Sequence, residues 1–383
     1  MPLQLGRNVT TQFTRPCLAI SKASRSPPSR FKSCSESSTN QVIFSGIQPT
    51  GTPHIGNYLG ALRQWVKLQD RAHPSTTLIY SIVNAHAITV PHDEEQLRKW
   101  KRETLGILLA IGLDPERSMI YYQSDVKAHF ELQWILSCTA SSMGYLQRMT
   151  QWKSKMSLPE DTTASESAFK DALKLGLFSY PVLQAADILL HRATHVPVGE
   201  DQEQHLEFAR RCAKMFNSSK GDYLPLPQTI LSPARRVMSL NQPHLKMSKS
   251  HTDPKSRILI TDTYEEIKQK IRLALTDSIS GVTYDPVNRP GVSNLLEIMS
   301  NFQESDKTCD SLATEYESLS MREFKERVAE SIENGISGIR ARYEKISDAD
   351  GGHYLDFIEV KGAEKARLHA EETMAFLRKT VAF

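Results

Sequence analysis

The sequence lacks the features that mark membrane-spanning and disulfide-stabilised proteins. Its longest apolar run, from Leu105 to Leu113, is about half as long as a membrane span requires. Its five cysteines include no C-x-x-C pair, which argues against a cysteine-based zinc site and a disulfide framework. Their scatter is typical of a reducing compartment. With 383 residues, the chain is long enough for two or three domains with a sizeable core.

Two common nucleotide-binding motifs are also missing. Neither G-x-x-x-x-G-K-[ST] nor G-x-G-x-x-G occurs, so neither P-loop nor dinucleotide chemistry is indicated. Apolar residues make up 39% and charged residues 24% of the chain, which is typical of a globular protein and excludes a disordered or fibrous one.

Acidic residues are scarce in the first 40 residues. This leader holds six basic residues and one acid, Glu36, together with eight serines and four threonines. The rest of the chain keeps 41 of the 47 basic and 43 of the 44 acidic residues, so its net charge is −2. An Arg- and Ser-rich, acid-poor leader is typical of organelle transit peptides. We predict a disordered mitochondrial presequence over residues 1–40; a plain disordered tail is the alternative.

After the leader, short apolar runs alternate with helical patterns. Residues 41–47, 77–83 and 118–122 predict buried strands, and residues 57–68 and 94–111 predict helices. Strands joined by helices of this length imply a parallel sheet with right-handed crossovers.

After about residue 250 the pattern becomes helical. The predicted helices cover residues 263–275, 321–330 and 359–379, and the one strand signal is at 257–261. Thr263 and Glu266 form a predicted capping box. We therefore predict an α/β fold in which a parallel-sheet catalytic domain precedes an all-helical domain. The predicted boundaries are 1–40 for the leader, 41–235 for the sheet domain, 236–262 for a linker and 263–383 for the helical domain.

The first segment with chemical potential is Pro49-Thr-Gly-Thr-Pro-His54-Ile-Gly56-Asn57, between the first strand and the first helix. In an open parallel sheet, ligands bind at the carboxyl ends of the strands. Gly51 and Gly56 allow close approach of backbone or ligand. His54 and Asn57 supply donors, and the helix N-terminus beyond them favours an anion. A simple strand–helix turn is the alternative.

The second segment is Lys246-Met247-Ser248-Lys249-Ser250. Two lysines three residues apart, with no acid between them, form a cationic loop. Such a loop can neutralise charge that develops on a leaving phosphate group. A solvated surface loop is the alternative.

Together, these segments resemble the two nucleotide-binding motifs of class I aminoacyl-tRNA synthetases. The K-M-S-K-S match is complete, and Asn57, where many class I enzymes have a second histidine, is usual in the tryptophan branch. A third segment resembles the amino-acid-binding helix and following loop of that branch. It consists of Tyr180-Pro-Val-Leu-Gln-Ala-Ala-Asp187 and Val196-Pro-Val-Gly199-Glu200-Asp201-Gln202. Other matching segments are Phe44-Ser-Gly-Ile-Gln48-Pro, His86-Ala-Ile-Thr89, Arg148-Met-Thr-Gln, Arg236-Val-Met-Ser-Leu240 and Pro290-Gly-Val-Ser-Asn-Leu-Leu296.

The resemblance runs collinearly from about residue 42 to the C-terminus. Asn84 and Gln184 depart from the bacterial pattern, and Gln184 resembles the mitochondrial form of the branch. The roles of these two residues stay open.

Asp187 is the single acid in the apolar stretch 181–190. A buried acid costs free energy unless a donor pairs with it. The indole N–H is donor-only, so a fixed carboxylate suits it as an acceptor. A structural pair with Arg192 or with a backbone donor is the alternative.

Two other sets of polar residues predict no function. His191 and His195 are spaced i, i+4, but no third ligand is near and Pro197 breaks the element, so we predict no zinc site. We expect Cys138 and Cys212 to lie inertly in the core.

The resemblance implies a Rossmann-like catalytic domain and the activity of a tryptophan–tRNA ligase. It assigns catalysis to Lys246, Lys249, Ser248 and Gln48. It assigns ATP binding to Gln48, Gly51, His54, Gly56, Asn57, Gly199, Asp201, Lys246, Met247, Ser248 and Lys249. It assigns tryptophan binding to Asp187, Phe44, Tyr180, Gln202 and His86.

The resemblance also implies partners and a location. The substrates are L-tryptophan, tRNA(Trp) and ATP with Mg²⁺, with no tightly bound cofactor and no resident metal. The enzyme is expected to be a homodimer of the mitochondrial matrix, without membrane contact, whose helical domain reads the anticodon. Candidate tRNA-contacting residues are Arg322, Lys325, Arg327, Arg340, Arg342 and Lys345, although interleaved glutamates make a solvated helix equally consistent. Two alternatives stay open: the tyrosine-specific sister enzyme and an inactive synthetase-like RNA-binding or splicing protein.

Overall fold

A parallel sheet of five strands organises the N-terminal half of the part of the chain that the structure describes. The computed structural model describes residues 41–149, 173–199, 202–231, 236–249, 251–303 and 307–383, so the predicted leader lies outside it. The strands are β1 Val42–Ile47, β2 Thr77–Ile82, β3 Met119–Tyr122, β4 His195–Val198 and β5 Gln228–Leu231. They lie in the order β3-β2-β1-β4-β5, and all neighbours are parallel. The predicted α/β fold is confirmed.

Strands β4 and β5 are absent from the sequence prediction, and β4 contains Pro197, which we expected to break the element. The Pro197 carbonyl accepts a hydrogen bond from Ser45 Oγ (3.3 Å), so this residue faces β1. The β1–β4 ladder is confined to Ile43 opposite His195. Pro197 therefore lies where no backbone N–H is needed, and the prediction that it breaks the element is wrong.

Helices connect these strands. In chain order they are α1 Ile55–Asn57, α2 Arg63–Arg71, α3 Asn84–Ala87, α4 Glu94–Ala110, α5 Ala128–Thr139, α6 Met143–Leu146, α7 Leu175–Leu190 and α8 Glu203–Lys220. A 3-10 turn follows β3 at Gln123–Asp125. Between α1 and α2, Tyr58–Leu62 forms a π-helical turn within the stretch that we predicted as one regular helix.

The region after residue 250 is helical, as predicted. Its helices are α9 Tyr264–Leu273, α10 Pro290–Phe302, α11 Cys309–Tyr316, α12 Met321–Asp348 and α13 His353–Val381, with 3-10 turns at Pro254–Ser256 and Ala349–Gly352. The capping box is present, since the Thr263 N–H donates to Glu266 Oε2 (2.8 Å). Residues 257–261 form a single β-bridge, from Leu259 to His54, so the strand signal there was misleading.

The C-terminal helix α13 packs on the sheet side of the molecule. Its residues Ala366, Met374 and Leu377 enter the same apolar cluster as α5 and α7. A side chain at Gly362 would lie 1.9 Å from the Ile120 carbonyl oxygen, so glycine permits the close approach of α13 to β3. Residues 40–383 form one compact unit, and the division at residue 263 stays a prediction.

The two cysteines that we expected in the core differ. Cys212 is buried, as predicted, and burial raises the pKa of its thiol to about 12. Cys138 is exposed, because it lies on the outer face of α5 one turn after the exposed Trp134.

None of the helices that the structure describes is both long and apolar enough to cross a membrane.

Candidate active site

The carboxyl ends of four neighbouring strands bring the predicted functional segments together. The loop to His54 follows β1, His86 follows β2, Gln123 follows β3 and Gly199 follows β4. From β1 the chain builds β2 and β3 on one side, and it then crosses to the other side of β1 to form β4 and β5. Ligands of open α/β sheets bind at such a switch point.

Two adjoining cavities open at this edge. The first cavity has a volume of about 660 Å³ and contains Asp187 and Lys249 in its wall. The second has a volume of about 780 Å³ and reaches Arg236 and Glu297. Residues that line both are His54, Asn57, Ala61, Gly199, Lys246 and Met247. A ligand that extends from one cavity to the other would therefore pass the predicted nucleotide-binding residues.

The position of His54 is fixed at the start of α1. Its N–H donates to Asn57 Oδ1 (3.2 Å). Its carbonyl accepts from the N–H groups of Asn57 (2.9 Å) and Tyr58 (3.1 Å). A side chain at Gly56 would lie 2.9 Å from the His54 ring, so glycine is required for the ring to occupy this position.

The His54 imidazole is a buried neutral group. It is 3% exposed, and burial, together with the charges of Lys249, Arg257 and Lys246, lowers its pKa to about 3. Its Nδ1 has no hydrogen-bond partner among the residues that the structure describes. A neutral imidazole supplies one N–H donor, so His54 can bind a ligand oxygen without adding a charge.

Lys249 extends over the end of β1. Its Nζ donates to the Gln48 carbonyl (3.0 Å), and its Cβ lies 3.5 Å from where a side chain at Gly51 would begin. Gly51 has φ of +133°, which favours glycine. Burial lowers the pKa of Lys249 to about 8, so the ammonium is charged at neutral pH and loses its proton at alkaline pH.

The rest of the lysine loop is anchored through its backbone. Met247 is buried, and its N–H donates to the Val237 carbonyl (3.0 Å). Lys246 forms a β-bridge with Met238. The two lysines therefore project from a fixed segment at the rim of the cavities.

The Asp187 carboxylate is almost fully buried, at 1% exposure. Its Oδ2 accepts a hydrogen bond from His86 Nε2 (2.8 Å). Its Oδ1 accepts from Gln123 Nε2 (2.7 Å) and lies 2.7 Å from His129 Nδ1. The alternative prediction, a pair of Asp187 with Arg192 or with a backbone donor, is wrong. The groups that contact the carboxylate are the side chains of His86, Gln123 and His129, which belong to other elements.

Two opposing effects set the charge of Asp187. Burial raises its pKa, whereas His129 and His86 lower it and outweigh the burial, so the pKa lies below its ordinary value. Asp187 is therefore an anion at neutral pH. A carboxylate offers about four acceptor positions, and the three contacts leave one position on Oδ2 for a ligand donor.

Aromatic rings and an amide pair complete the first cavity. Phe44 stacks on His191 at a ring distance of 5.9 Å. The Tyr180 hydroxyl lies 2.9 Å from His205 Nε2. Gln184, whose role the sequence left open, donates from Nε2 to Gln202 Oε1 (3.2 Å).

Nearly all of the predicted site residues converge on the two cavities. Those that line the first cavity are Phe44, Gln48, His54, Asn57, His86, Tyr180, Asp187, Gly199, Gln202, Lys246, Met247, Ser248 and Lys249. Gly56 lines the second cavity, and Gly51 lines neither cavity but lies beside Lys249. Glu200, Asp201 and Ser250 lie outside the described residues.

Sequence reasoning missed Gln123 and His129, which hold the Asp187 carboxylate. Gln123 directly follows β3, and a polar residue after a parallel strand is a signal that could have found it. His129 lies near the start of α5 and has no such signal, because a buried histidine on a helix resembles any other core residue.

Among the described residues, no group of three or more His, Cys, Asp or Glu side chains is arranged to hold a metal ion.

Some of the candidate tRNA-contacting residues are tied within the protein. Arg342 Nε donates to the Ala110 carbonyl (2.6 Å), and Arg340 pairs with Glu333. Arg322 and Arg327 are more exposed, although each pairs with a glutamate on α12. These contacts favour the solvated or structural interpretation for Arg340 and Arg342.

Comparison with known proteins assigns this fold and these motifs to one family. The family model of class I tRNA synthetases (W and Y) matches residues 36–336. The chain belongs to this family of class I tRNA synthetases.

Three similar proteins of this family are tryptophan–tRNA ligases. The mitochondrial tryptophan–tRNA ligase of Saccharomyces cerevisiae is 44% identical over 352 residues, which is 90% of this chain and 92% of that protein. The mitochondrial enzyme of Schizosaccharomyces pombe is 45% identical over 346 residues, 88% of this chain and 94% of that protein. The tryptophanyl-tRNA synthetase of Campylobacter jejuni, solved with ADP and tryptophan, is 32% identical with a TM-score of 0.73, covering 90% of this chain and 100% of its own. The prediction of a tryptophan–tRNA ligase of the mitochondrial type is confirmed.

Proposed function

We propose that this synthetase forms tryptophanyl-adenylate from L-tryptophan and ATP across its two cavities and transfers the tryptophanyl group to tRNA(Trp). The observation that carries the proposal is the wall that the cavities share. Asp187 lies on the first cavity, and His54, Asn57 and Lys246 lie between it and the second. The buried carboxylate of Asp187 suits the N–H of an indole amino acid. The cationic and donor-rich wall next to it suits the phosphates of a nucleotide. The relative from Campylobacter jejuni was solved with both ADP and tryptophan.

The first cavity is the proposed tryptophan site. Asp187 Oδ2 accepts the indole N–H at its remaining acceptor position, while His86 holds the carboxylate in place. Phe44 and Tyr180 supply aromatic walls, and Gln202, paired with Gln184, supplies amide groups for the polar end of the amino acid.

The ATP phosphates are proposed to lie along the shared wall. Lys246, Ser248 and Lys249 bind the β- and γ-phosphates, and His54 and Asn57 donate to phosphate oxygens. Gly51, Gly56, Met247 and Gly199 line the proposed nucleotide path, and Gln48 faces the reacting groups. Mg²⁺ enters as part of the ATP substrate and is coordinated by phosphate oxygens, which are its preferred kind of ligand.

The proposed reaction has two steps. First, a carboxylate oxygen of tryptophan attacks the α-phosphorus, the bond from that phosphorus to the bridging oxygen breaks, and pyrophosphate leaves. Then the terminal ribose 2′-hydroxyl of the tRNA attacks the acyl carbon, AMP leaves, and the hydroxyl proton is released. Positioning and charge stabilisation carry both steps. The cationic loop acts where charge develops on the leaving pyrophosphate.

Tryptophan-dependent ATP–pyrophosphate exchange tests the first step. We expect exchange with tryptophan and none with tyrosine. Exchange with tyrosine alone would establish the sister specificity, and no exchange with either amino acid would favour an inactive RNA-binding or splicing protein.

A homodimer is the proposed assembly. Large apolar side chains are exposed on α5, α6 and α7, including Trp134 at 65% and Leu175 at 75% exposure, and α5 and α6 both pack against α7. Phe130 lies one turn before Trp134 on α5, and Met143 of α6 is also exposed. Such patches mark interaction sites, and a two-fold interface uses the same patch on both subunits.

The mitochondrial matrix is the proposed location, and the helical region after residue 263 is the proposed anticodon reader. The two yeast relatives are named as mitochondrial. The leader adds six basic residues and one acid to a body of net charge −2, which suits an import signal. Because the body is not basic, tRNA binding depends on local basic surfaces.

A further inference from the structure

A chain of buried polar groups leads away from the Asp187 carboxylate. The Tyr121 hydroxyl lies 2.9 Å from His129 Nε2 and 2.8 Å from His191 Nε2. His191 Nδ1 lies 3.2 Å from His369 Nδ1. With the 2.7 Å contact between His129 Nδ1 and Asp187 Oδ1, four successive contacts join the carboxylate to helix α13.

Burial makes it costly to leave any of these groups unpaired. His129 and His191 are 0% exposed and Tyr121 is 1% exposed. His369, at the α13 end, is partly exposed and is not among the residues that line either cavity. An unpaired polar group in the dry interior costs free energy, so each link needs one proton between its two heavy atoms.

The carboxylate fixes the direction of every link. His129 Nδ1 lies 2.7 Å from Asp187 Oδ1 without the alignment of a full hydrogen bond. An ionised carboxylate can only accept, so we assign the His129 proton to Nδ1, and a neutral His129 then accepts at Nε2 the hydroxyl proton of Tyr121. The Tyr121 oxygen then accepts from His191 Nε2. The bare Nδ1 of His191 accepts from His369 Nδ1. With neutral histidines, every group between the two ends donates once and accepts once.

The surroundings favour the neutral state of His191 and His369, and a neutral His129 is part of the proposal. Burial lowers the pKa of His191 well below its ordinary value. Burial also lowers the pKa of His369, which faces Glu372 and Arg192. The Ser81 hydroxyl is buried and makes no hydrogen bond within the described residues, so a contact from it to the second lone pair of Tyr121 would not reverse the chain.

We propose that His369, His191, Tyr121 and His129 are positioning residues that hold Asp187 as an oriented acceptor for the indole N–H. The inference rests on the proposed function, since it takes Asp187 to be the indole acceptor. It assigns helix α13 a part in amino-acid recognition from outside the tryptophan cavity.

Two substitutions of similar size at His369 test the direction of the chain. In His369→Asn, an amide N–H₂ takes the place of the Nδ1–H donor. In His369→Asp, a carboxylate faces the unprotonated Nδ1 of His191. Because the carboxylate can only accept, the His191 proton must move from Nε2 to Nδ1, and the Tyr121 oxygen loses its donor. We expect the KM for tryptophan to stay within about 2-fold in H369N and to rise about 3- to 10-fold in H369D, with a smaller change in kcat.

Tyr121→Phe breaks the chain at its centre while keeping the ring. It leaves His129 Nε2 without its donor, so we expect a rise in the KM for tryptophan of about 3- to 10-fold, as in H369D. Melting temperatures show whether either variant fails to fold.

Nitrogen-15 spectra of histidine-labelled, substrate-free enzyme provide a readout that is independent of activity. We expect the Nδ1–H tautomer for His129 and His369 and the Nε2–H tautomer for His191, with H369N identifying the His369 signal. A His191 signal with its proton on Nδ1, or wild-type KM values in folded H369D and Y121F, would overturn the inference. Absence of tryptophan-dependent exchange in the wild-type enzyme would instead refute the proposed function, so the two failures are distinguishable.

Discussion

Replacing Asp187 with asparagine tests whether this carboxylate recognises the indole N–H. The substitution keeps the shape of the side chain but removes its charge and replaces one acceptor oxygen with an N–H₂ donor. A hydrogen bond to a charged group contributes about 1.5–3 kcal/mol. Its loss should therefore lower kcat/KM for tryptophan about 10- to 150-fold, since 1.4 kcal/mol corresponds to a factor of ten.

The structure shows why stability has to be measured with activity. Donors of His86, Gln123 and His129 converge on the Asp187 carboxylate, so the new amide must direct its N–H₂ toward one of them. We expect the free energy of unfolding to fall by about 1–3 kcal/mol. Thermal unfolding then sets the temperature at which the variant is fully folded and can be assayed.

A tryptophan analogue with benzothiophene in place of indole is the matched control substrate. Sulfur replaces the N–H, so the analogue cannot donate to Asp187 in either enzyme. In pyrophosphate exchange, the D187N variant should lose most of its activity with tryptophan and little with the analogue. Equal losses with both substrates would mean that Asp187 has only a structural role, and the reasoning would be refuted.

Four further predictions rest on the structure and on the sequence of the leader. Lys249→Ala should slow single-turnover adenylate formation about 10²–10³-fold with little change in tryptophan affinity, because pyrophosphate charge develops in the transition state; near-normal adenylate formation would exclude this role. Because the pKa of Lys249 is about 8 and bound phosphates raise it, ATP binding at about pH 9 should take up a proton that is already bound at pH 7. Calorimetry in buffers of different ionisation enthalpy measures this proton uptake, which should disappear in Lys249→Met. Equal uptake in the wild-type protein and in Lys249→Met would disprove the prediction. Residues 1–40 should carry a fluorescent protein into mitochondria, and a chain that starts at Gln41 should keep full exchange activity. A fusion that stays in the cytosol would contradict the import role, and an inactive truncated enzyme would contradict the claim that the leader is not needed for catalysis. Trp134→Arg should shift the enzyme from dimer to monomer in light scattering, and an unchanged mass would place the interface elsewhere.

The loops that bind the nucleotide could be predicted from the sequence because their chemistry is local. Gly51, His54 and Gly56 lie within six residues of one another in the chain, and the residue types themselves indicate the backbone conformations that they need. The long apolar runs of β1 and β2 were equally clear. Strand β4 was not clear, because it is only four residues long and contains Pro197. Only the fold shows that Pro197 faces β1 beyond the end of the β1–β4 ladder, where no backbone N–H is needed.

The surroundings of Asp187 could be predicted only in part. Its isolation among apolar residues correctly indicated a buried acid that needs donors. The donors themselves, His86, Gln123 and His129, come from three other elements, and only the tertiary fold brings them together. Periodicity describes which face of a helix is buried but not which polar group on another element meets it.

Charging of tRNA(Trp) by the purified full-length chain tests the central claim most directly. With ATP, Mg²⁺ and labelled L-tryptophan, we predict tryptophanyl-tRNA that is labile to base, with no product when tyrosine replaces tryptophan. A folded protein that leaves tRNA(Trp) uncharged with tryptophan, or that charges tRNA with tyrosine, would contradict the account.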